Sequence, residues 1–178
     1  MTGEHIGELK KWVAELARQG KEGETVRLDR AVESIGKNFG VKTHEVAILG
    51  LTSDERSLRF LAPASLRTIG QVPLSSVHSL AARTFREKRA DLINNFTVVP
   101  HASVFEGVPI NEEQRTPPIQ KIMSSPIMVG PRAIGVIQVS RKAKTLADAG
   151  ADFTQSQLRE LKIISDALAS CILLCNRD

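Results

Sequence analysis

Residues 121–142, with the sequence KIMSSPIMVGPRAIGVIQVSRK, constrain the fold of this chain more than any other segment. Two apolar runs flank Gly130-Pro131, a dipeptide typical of tight turns, and this arrangement predicts two neighbouring strands. The second run ends in Gly-Val-Ile-Gln-Val and is followed at once by basic residues. Because strands this apolar must be covered on both faces, we expect the pair at the centre of a sheet rather than at its edge.

The composition is that of a globular protein. At 178 residues the chain is long enough for one domain with a real core and a helical extension. Its 42% apolar and 25% charged residues fit neither the disordered nor the membrane class. The first residues contain no long apolar run, so we expect a cytoplasmic protein with no membrane partner. The two cysteines, Cys171 and Cys175, are too few and too close for a disulfide framework.

The charge pattern argues against nucleic-acid binding. The net charge of +4 comes from 24 basic and 20 acidic residues, scattered apart from modest basic clusters at 83–89 and 141–144. Aromatic residues make up only 4% of the chain, which is few for a surface that stacks on the bases of single-stranded nucleic acid. We therefore expect no nucleic-acid partner.

Helical periodicity divides the chain at its N-terminal end. Residues 1–24 are predicted to form an amphipathic helix and a polar linker, and residues 25–178 the domain proper. The apolar stripe of the first helix consists of Ile6, Leu9, Val13 and Leu16. A second helix, ending at Gly40, presents Leu28, Val32, Ile35 and Phe39 on one face. The first stripe has no role inside the domain, so we expect it to pair with the closing helix of a second copy in a homodimer.

The remaining elements follow from short apolar runs and their flanking residues. Residues 96–118 lack sustained periodicity, and such a stretch in a compact domain is usually functional or disordered. Thr154 and Gln157 form a capping-box pattern at the start of a long final helix. The predicted elements are a hairpin of strands 45–51 and 57–62, a helix at 77–88 with Val77 inward, a strand at 91–95, and the closing helix at 154–176.

Four short motifs follow one another in a recognisable order. They are Ile-Gly-Gln-Val-Pro-Leu-Ser at 69–75, Ala-Asp-Leu-Ile-Asn-Asn at 90–95, Ser-Pro-Ile-Met-Val with Arg-Ala-Ile-Gly-Val-Ile-Gln-Val at 125–139, and Phe-Thr-Gln-Ser-Gln-Leu at 153–158. In this order they resemble the GAF domain, a small-molecule sensor family. The resemblance covers residues from about 26 to 174 and implies an α+β, profilin-like fold. That fold has an antiparallel sheet of five or six strands, helices on one face, and loops roofing a ligand pocket on the other.

The subgroups of the family can be compared with this chain residue by residue. The cyclic-nucleotide-binding members resemble it at Lys142 and Phe153, but Arg141, Gln157 and Leu158 replace the Asn, Asp and Glu of their pattern. The members that reduce free methionine-R-sulfoxide need pocket cysteines, because one thiolate attacks the sulfoxide and a second resolves the sulfenic acid. Both cysteines here fall on the closing helix, so the chain is expected to be non-enzymatic, and its sequence identifies no cofactor.

One group of candidate ligand-binding residues precedes the helix at 77–88. Ser75 and Ser76 could offer hydroxyls and free N–H groups to an anion, since helix N-termini attract negative charge. Plain N-capping is the competing interpretation. His78 in the first turn could reach the same place, or it could be a surface or packing residue.

The other candidates follow that helix. Asn94 and Asn95 end the predicted strand on the pocket side, where an amide can donate and accept, unless they only make turn hydrogen bonds. His101 and Phe105 lie in the long loop, where His101 could contact a ligand or a haem iron. Gln138 is polar inside an apolar strand, so its buried amide must pair with protein, water or ligand.

The sequence thus favours a non-enzymatic sensor module that binds an unidentified small molecule and alters the relation of its terminal helices in a signalling dimer. No catalytic triad, metal cluster or phosphate-binding loop is recognised in it. An alternative is a structural or protein-interaction module that kept the fold and lost the ligand. A methionine-R-sulfoxide reductase-like enzyme is the third possibility.

Overall fold

A six-stranded antiparallel sheet with the strand order β3-β2-β1-β6-β5-β4 forms the centre of the computed structural model, which describes residue 11 and residues 24–98 and 117–175. Neighbouring strands are antiparallel throughout, and helices pack on the sheet, so the predicted α+β class is confirmed. The described elements are α1 Glu24–Phe39, β1 Val46–Leu51, β2 Ser57–Ala62, β3 Gln71–Pro73, α2 Leu80–Glu87, β4 Asp91–Ile93, β5 Ile119–Val129, β6 Arg132–Lys142 and α3 Gln155–Cys175.

The two strands predicted from residues 121–142 are β5 and β6. They pair along their whole length around the turn at Gly130, whose φ of +57° suits a residue without a side chain. Strand β6 also pairs with β1, so it lies in the middle of the sheet as expected. At Gly135 the two backbones approach so closely that an added Cβ would lie 2.4 Å from the carbonyl oxygen of Leu49. Only glycine fits there.

The long helices α1 and α3 cover one face of the sheet. Alternation along β1 sends Val46 and Ile48 to this face, where they join one large buried cluster. Helix α3 begins with the predicted capping box: Gln157 N–H donates to Thr154 Oγ1 at 3.2 Å, and Thr154 N–H donates to Gln157 Oε1 at 3.0 Å. The cluster residues from the helices are Leu28, Ala31, Val32, Ile35, Phe39, Leu161, Ile164, Leu168, Ala169, Cys171 and Ile172.

The other face of the sheet is covered by the short helix α2 as well as by loops. Ala81 and Ala82 of α2 pack with Leu49 and Val136 in a second apolar cluster. The sequence placed this helix at 77–88, but it begins only at Leu80, and Val77 is 76% exposed rather than inward. The later start follows from Ser79, whose Oγ accepts from the Ala82 N–H and caps the helix, while the Arg86 guanidinium donates to the carbonyls of Leu74 and Ser76 in the preceding turn.

Strand β4 is shorter than predicted. It ends at Ile93 rather than at residue 95, because the next side chain, Asn94, hydrogen-bonds to the backbone of Phe153 instead of continuing the ladder. The predicted dimer stripe from Ile6 to Leu16 lies outside the described residues. Within the part of the chain that is described, no helix has the length and apolar character needed to cross a membrane.

Candidate functional site

A row of three polar side chains crosses the sheet beneath α2. Ser124 of β5 is the Cα partner of both Asp91 of β4 and Gln138 of β6, and Ala47 of β1 continues the row as the partner of Gln138. Directly opposite residues of antiparallel strands point to the same face, so the three side chains lie together on the face that α2 covers. Ser124 is fully buried and Gln138 is 5% exposed. We call Asp91, Ser124 and Gln138 the polar row.

Two hydrogen bonds meet at the hydroxyl of Ser124. Thr84, which is fully buried on the inner side of α2, donates from Oγ1 to Ser124 Oγ at 2.8 Å. Gln138 donates from Nε2 to the same oxygen at 3.2 Å. The bonds link α2 to the two central strands through uncharged groups only. Among the described residues this is the one side-chain hydrogen bond of Gln138, although an amide can form four.

Charged groups stand at one end of the row. Asp91 Oδ2 accepts from Arg83 Nη2 at 3.3 Å, and Asp91 Oδ1 accepts from Arg89 Nη2 at 3.4 Å. The Nε atom of Arg83 is buried and has no acceptor among the described residues. An unsatisfied buried donor costs about 1–3 kcal/mol, so this N–H could gain from a bound acceptor.

Apolar side chains flank the row on both sides. One cluster lies over β1, β2 and β3, and a smaller one lies near β4 and the start of β5. A mostly apolar surface with a few convergent polar groups is the usual composition of a small-molecule site. The members are Ala47, Leu49, Leu51, Leu58, Phe60, Leu66, Val72, Ala81, Ala82 and Val136 in the first cluster, and Leu80, Phe96, Ile119 and Ile122 in the second.

The row offers little to a metal ion. Asp91 is its one carboxylate, and the described part of the chain contains no group of three or more His, Cys, Asp or Glu side chains that could hold a metal. Cys171 is buried in the cluster against α1, on the opposite face of the sheet from the row. The arrangement is therefore suited to hydrogen bonding of a molecule, not to ligation by the residues described.

The structure separates Ser75, Ser76 and His78 from the start of α2. The predicted capping role belongs to Ser79 instead, whose Oγ accepts from Ala82 N–H at 3.2 Å. Ser75 and His78 are exposed in the preceding turn, and Ser76 is half-buried. The expectation that the first two serines stand at the helix N-terminus is wrong, because the helix begins at Leu80, and a contact of these serines with an anion stays a prediction.

The remaining candidates have different positions. Asn94 makes two hydrogen bonds with the backbone of Phe153, at 2.9 and 3.0 Å, so its amide is used to connect two segments. Asn95 is exposed and accepts from Thr97 Oγ1 at 3.4 Å. His101 and Phe105 lie outside the described residues. Of the six candidates that the structure describes, Gln138 alone belongs to the polar row, and its neighbours there were missed.

A sequence signal for the missed residues did exist. Ser124 interrupts an apolar strand in the same way as Gln138, and Thr84 interrupts the apolar face of a helix. A polar residue at a buried position needs a partner, so two such interruptions could be matched to each other. Asp91 and Arg83 gave no comparable signal, because charged side chains are usually solvated.

These features define the class of the protein. It is a small α+β domain with two long helices on one face of the sheet and a polar row under a short helix on the other face. The family model of the GAF domain matches residues 25–172, so the chain belongs to the GAF domain family. Comparison with curated proteins finds no match.

Solved structures support the same fold. The GAF domain from an Acinetobacter phosphoenolpyruvate-protein phosphotransferase has a TM-score of 0.70 at 16% identity, covering 98% of this chain and 96% of that one. Residues 122 to 287 of a methyl-accepting chemotaxis protein give 0.64 at 17%, covering 94% and 96%. Free methionine-R-sulfoxide reductase from Neisseria meningitidis, in complex with its substrate, gives 0.63 at 12%, covering 94% and 86%. At these identities the likeness establishes the fold alone.

Proposed function

We propose that this chain is a non-enzymatic GAF sensor or regulatory module that binds a small molecule over the polar row and acts in cytoplasmic signal transduction. The observation that carries the proposal is Gln138, a buried amide with most of its hydrogen-bonding capacity unused by the described residues. Buried amides are normally satisfied, and a ligand is a simple partner for the part of this amide that Ser124 does not engage, on a sheet face that is mostly apolar.

The row is connected to the closing helix by a short path. Asp91 stands three residues before Asn94, and Asn94 binds the backbone of Phe153 immediately before α3. A shift of β4 or α2 on ligand binding would therefore reach the start of α3 through two hydrogen bonds. We propose that this contact alters the relation of the terminal helices and passes the signal to a partner protein.

We further propose a homodimer formed through the terminal helices. The stripe of Ile6, Leu9, Val13 and Leu16 supports it, since a narrow apolar stripe needs a partner. On α3, Leu173 near the end of the helix is an apolar side chain that is 43% exposed and available to a second copy. The exposed side chains earlier in the helix are polar, among them Arg159, Lys162, Asp166 and Ser170. Light scattering at micromolar concentration should give twice the chain mass, and a monomer would contradict the dimer.

Two neighbouring serines allow a matched test of the binding site. Ser124 and Ser125 are consecutive and buried in β5, and each has a hydrogen-bonded hydroxyl. Ser124 faces α2, whereas Ser125 pairs with Ser165 of α3 at 3.0 Å on the opposite face.

A thermal-shift screen of a metabolite panel should find compounds that stabilise the protein, since saturation at a hundredfold the Kd adds about 2.7 kcal/mol.

The two variants then locate the bound compound. Ser124→Ala should weaken its binding about tenfold, the loss of one hydrogen bond. Ser125→Ala should leave binding unchanged while lowering the free energy of unfolding by a similar amount, about 1 kcal/mol. Equal effects of the two variants on binding would place the ligand elsewhere.

The second candidate is a structural or protein-interaction GAF module without a ligand. The hydrogen bonds among Thr84, Ser124 and Gln138 favour this candidate, because they use part of the hydrogen-bonding capacity of each side chain within the protein. In that case no compound of the metabolite panel should stabilise the protein. The variants Ser124→Ala and Ser125→Ala should then differ from the wild type only in their free energy of unfolding.

An enzymatic role like that of the methionine-R-sulfoxide reductases has less support. Such chemistry needs a thiolate beside the sulfoxide sulfur, and Cys171 is buried across the sheet from the polar row. Reduction of free methionine-R-sulfoxide by the purified chain with a thiol reductant would establish this alternative.

A further inference from the structure

The hydrogen-bonding groups at the centre of the polar row are uncharged. Ser124 receives hydrogen bonds from Thr84 and Gln138, and no ionised group takes part in these two contacts. Thr84 and Ser124 are fully buried, so water does not screen whatever meets them. The chemistry of this point is therefore that of a hydroxyl and an amide.

The charged groups near the row lie at its β4 end or are bound by the backbone, and among the described residues the Nε–H of Arg83 at the β4 end has no acceptor. Asp91 is paired with Arg83 and Arg89 at the β4 end. Glu45, a buried carboxylate next to the start of β1, accepts from the backbone N–H groups of Lys42 and Lys142 at 2.7 and 2.6 Å. A ligand ion seated over Ser124 would lose its hydration where the nearest polar groups, the Ser124 hydroxyl and the Gln138 amide, carry no counter-charge, which is strongly unfavourable.

The N-terminus of α2 gives no alternative anchor for an anion. Ser79 caps it by accepting from Ala82 N–H, so one of its free donors is already engaged. The helix has only eight residues, which keeps its dipole weak. An anionic group gains little there.

The donors and acceptors that the described residues leave unused at the centre define a complementary group on the ligand. Gln138 uses one proton of Nε2 toward Ser124, which leaves its second proton as a donor and its Oε1 as an acceptor. Ser124 Oγ accepts two hydrogen bonds, so its own proton must point elsewhere and can be donated. A ligand group with a hydrogen-bond donor beside an acceptor is complementary to these protein groups. Its donor pairs with the Gln138 oxygen, and its acceptor pairs with a proton of Gln138 or Ser124.

We infer that the molecule bound over the polar row is uncharged where it meets Ser124 and Gln138, and that it presents a hydrogen-bond donor beside an acceptor, as a primary amide does. The rest of the molecule is apolar, since the flanking clusters are apolar. This inference rests on the proposed ligand-binding function and specifies its ligand class.

Matched probes with one apolar body and three head groups test the inference. Hexanamide, hexanoate and hexylammonium form one set, and benzamide, benzoate and benzylammonium form another. Binding to the full chain is measured by ligand-observed NMR at pH 7, where fragments of this size bind at about millimolar Kd. In at least one set the amide should bind at least about tenfold more tightly than both ions. Ser124→Ala should reduce that preference, and Ser125→Ala should leave it intact.

The outcomes separate this inference from the function on which it rests. If an ion binds as tightly as its amide and Ser124→Ala weakens it, the ligand class is wrong while the site and the sensor function stand. If no probe binds up to about 10 mM, the ligand class is contradicted, whereas the binding function is contradicted only if the metabolite panel also gives no stabilisation.

A charge introduced into the row gives a second, independent readout. Gln138→Glu replaces the amide by a carboxylate of the same shape, so the variant should favour the ammonium probe over the amide. If Gln138→Glu fails to fold, Gln138→Met serves instead and should abolish the preference of the wild type for the amide. An amide preference that persists in the folded variant overturns the inference.

Discussion

The side-chain amide of Asn94 pairs with the backbone of Phe153 as a strand would: Nδ2 donates to the Phe153 carbonyl at 3.0 Å, and Oδ1 accepts from the Phe153 N–H at 2.9 Å. The two residues are 59 positions apart in the chain. The contact joins the end of β4 to the residue that introduces α3. It thereby connects the edge of the sheet beside the polar row to one of the two long helices.

Replacement of Asn94 by alanine should destabilise the fold by about 1–3 kcal/mol, because it leaves the N–H and C=O of Phe153 without their partners. Asn95→Ala is the matched control and should stay within about 0.5 kcal/mol, since Asn95 is exposed. Urea denaturation monitored by circular dichroism measures both. Equal losses for the two variants would show that the pairing with Phe153 contributes nothing specific.

Arg141 should stabilise the junction of three segments. Its guanidinium lies 4.7 Å from the centroid of the Phe153 ring and donates to the carbonyls of Phe39 and Gly40 at the end of α1. Arg141→Met keeps the apolar stem but loses these contacts, and we expect a loss of about 1–2 kcal/mol. Arg159→Met, on the exposed side of α3, should change the free energy of unfolding by less than about 0.5 kcal/mol. A loss at Arg141 no larger than the loss at Arg159 would refute the role.

The close approach of β1 and β6 predicts an asymmetry between two glycines. Gly135→Ala would place a Cβ 2.4 Å from the carbonyl oxygen of Leu49 and force the central strands apart, at about 3 kcal/mol. Gly130→Ala meets no atom within 4 Å and is strained only by its φ of +57°, at about 1 kcal/mol. Chemical denaturation of both variants is the measurement, and the prediction fails if Gly130→Ala is the more damaging.

The stability of the protein should fall at acidic pH in part through His44. Burial lowers the pKa of this imidazole below its usual 6.5, and the positive charge of Lys142 lowers it further. Because the unfolded chain then binds more protons than the folded one, this contribution is complete above pH 6.5 and is lost as the pH falls through the lower folded pKa.

Titration of the His44 ring protons by NMR measures that pKa directly. It should lie below 6.5 in the wild type and rise in Lys142→Gln, which removes one of the lowering charges. His44→Gln should make the free energy of unfolding less dependent on pH in the acidic range. A wild-type pKa at or above 6.5 would contradict the burial of this side chain.

The parts of the fold that follow from the sequence are those set by contacts close in the chain. Strand β2 was predicted with its observed bounds, and the capping box of Thr154 and Gln157 gave the start of α3, because both depend on neighbouring residues alone. The start of α2 was misplaced because several serines near residue 76 could serve as a cap. Ser79 is the cap in the folded chain, and Arg86 donates from the far end of the helix to the carbonyl of Ser76 in the preceding turn.

The candidate site was predicted only at Gln138. Its alternation in an apolar strand showed that a buried amide needed a partner, but nothing local showed which. Ser124 lies 14 residues before it, and Thr84 lies a further 40 residues away on another element. The register of β5 against β6 and the position of α2 bring them together, and both are properties of the folded chain.

The side-chain amide of Gln138 reports most directly on the central claim that a small molecule binds over the polar row. Its Nε2 protons give a pair of resonances in a ¹H–¹⁵N spectrum, assigned by their loss in Gln138→Met. On titration with a compound that stabilises the protein in the metabolite screen, we predict that this pair shifts in a saturable way with the Kd of that compound. Saturable binding that leaves the Gln138 resonances unmoved would contradict the account.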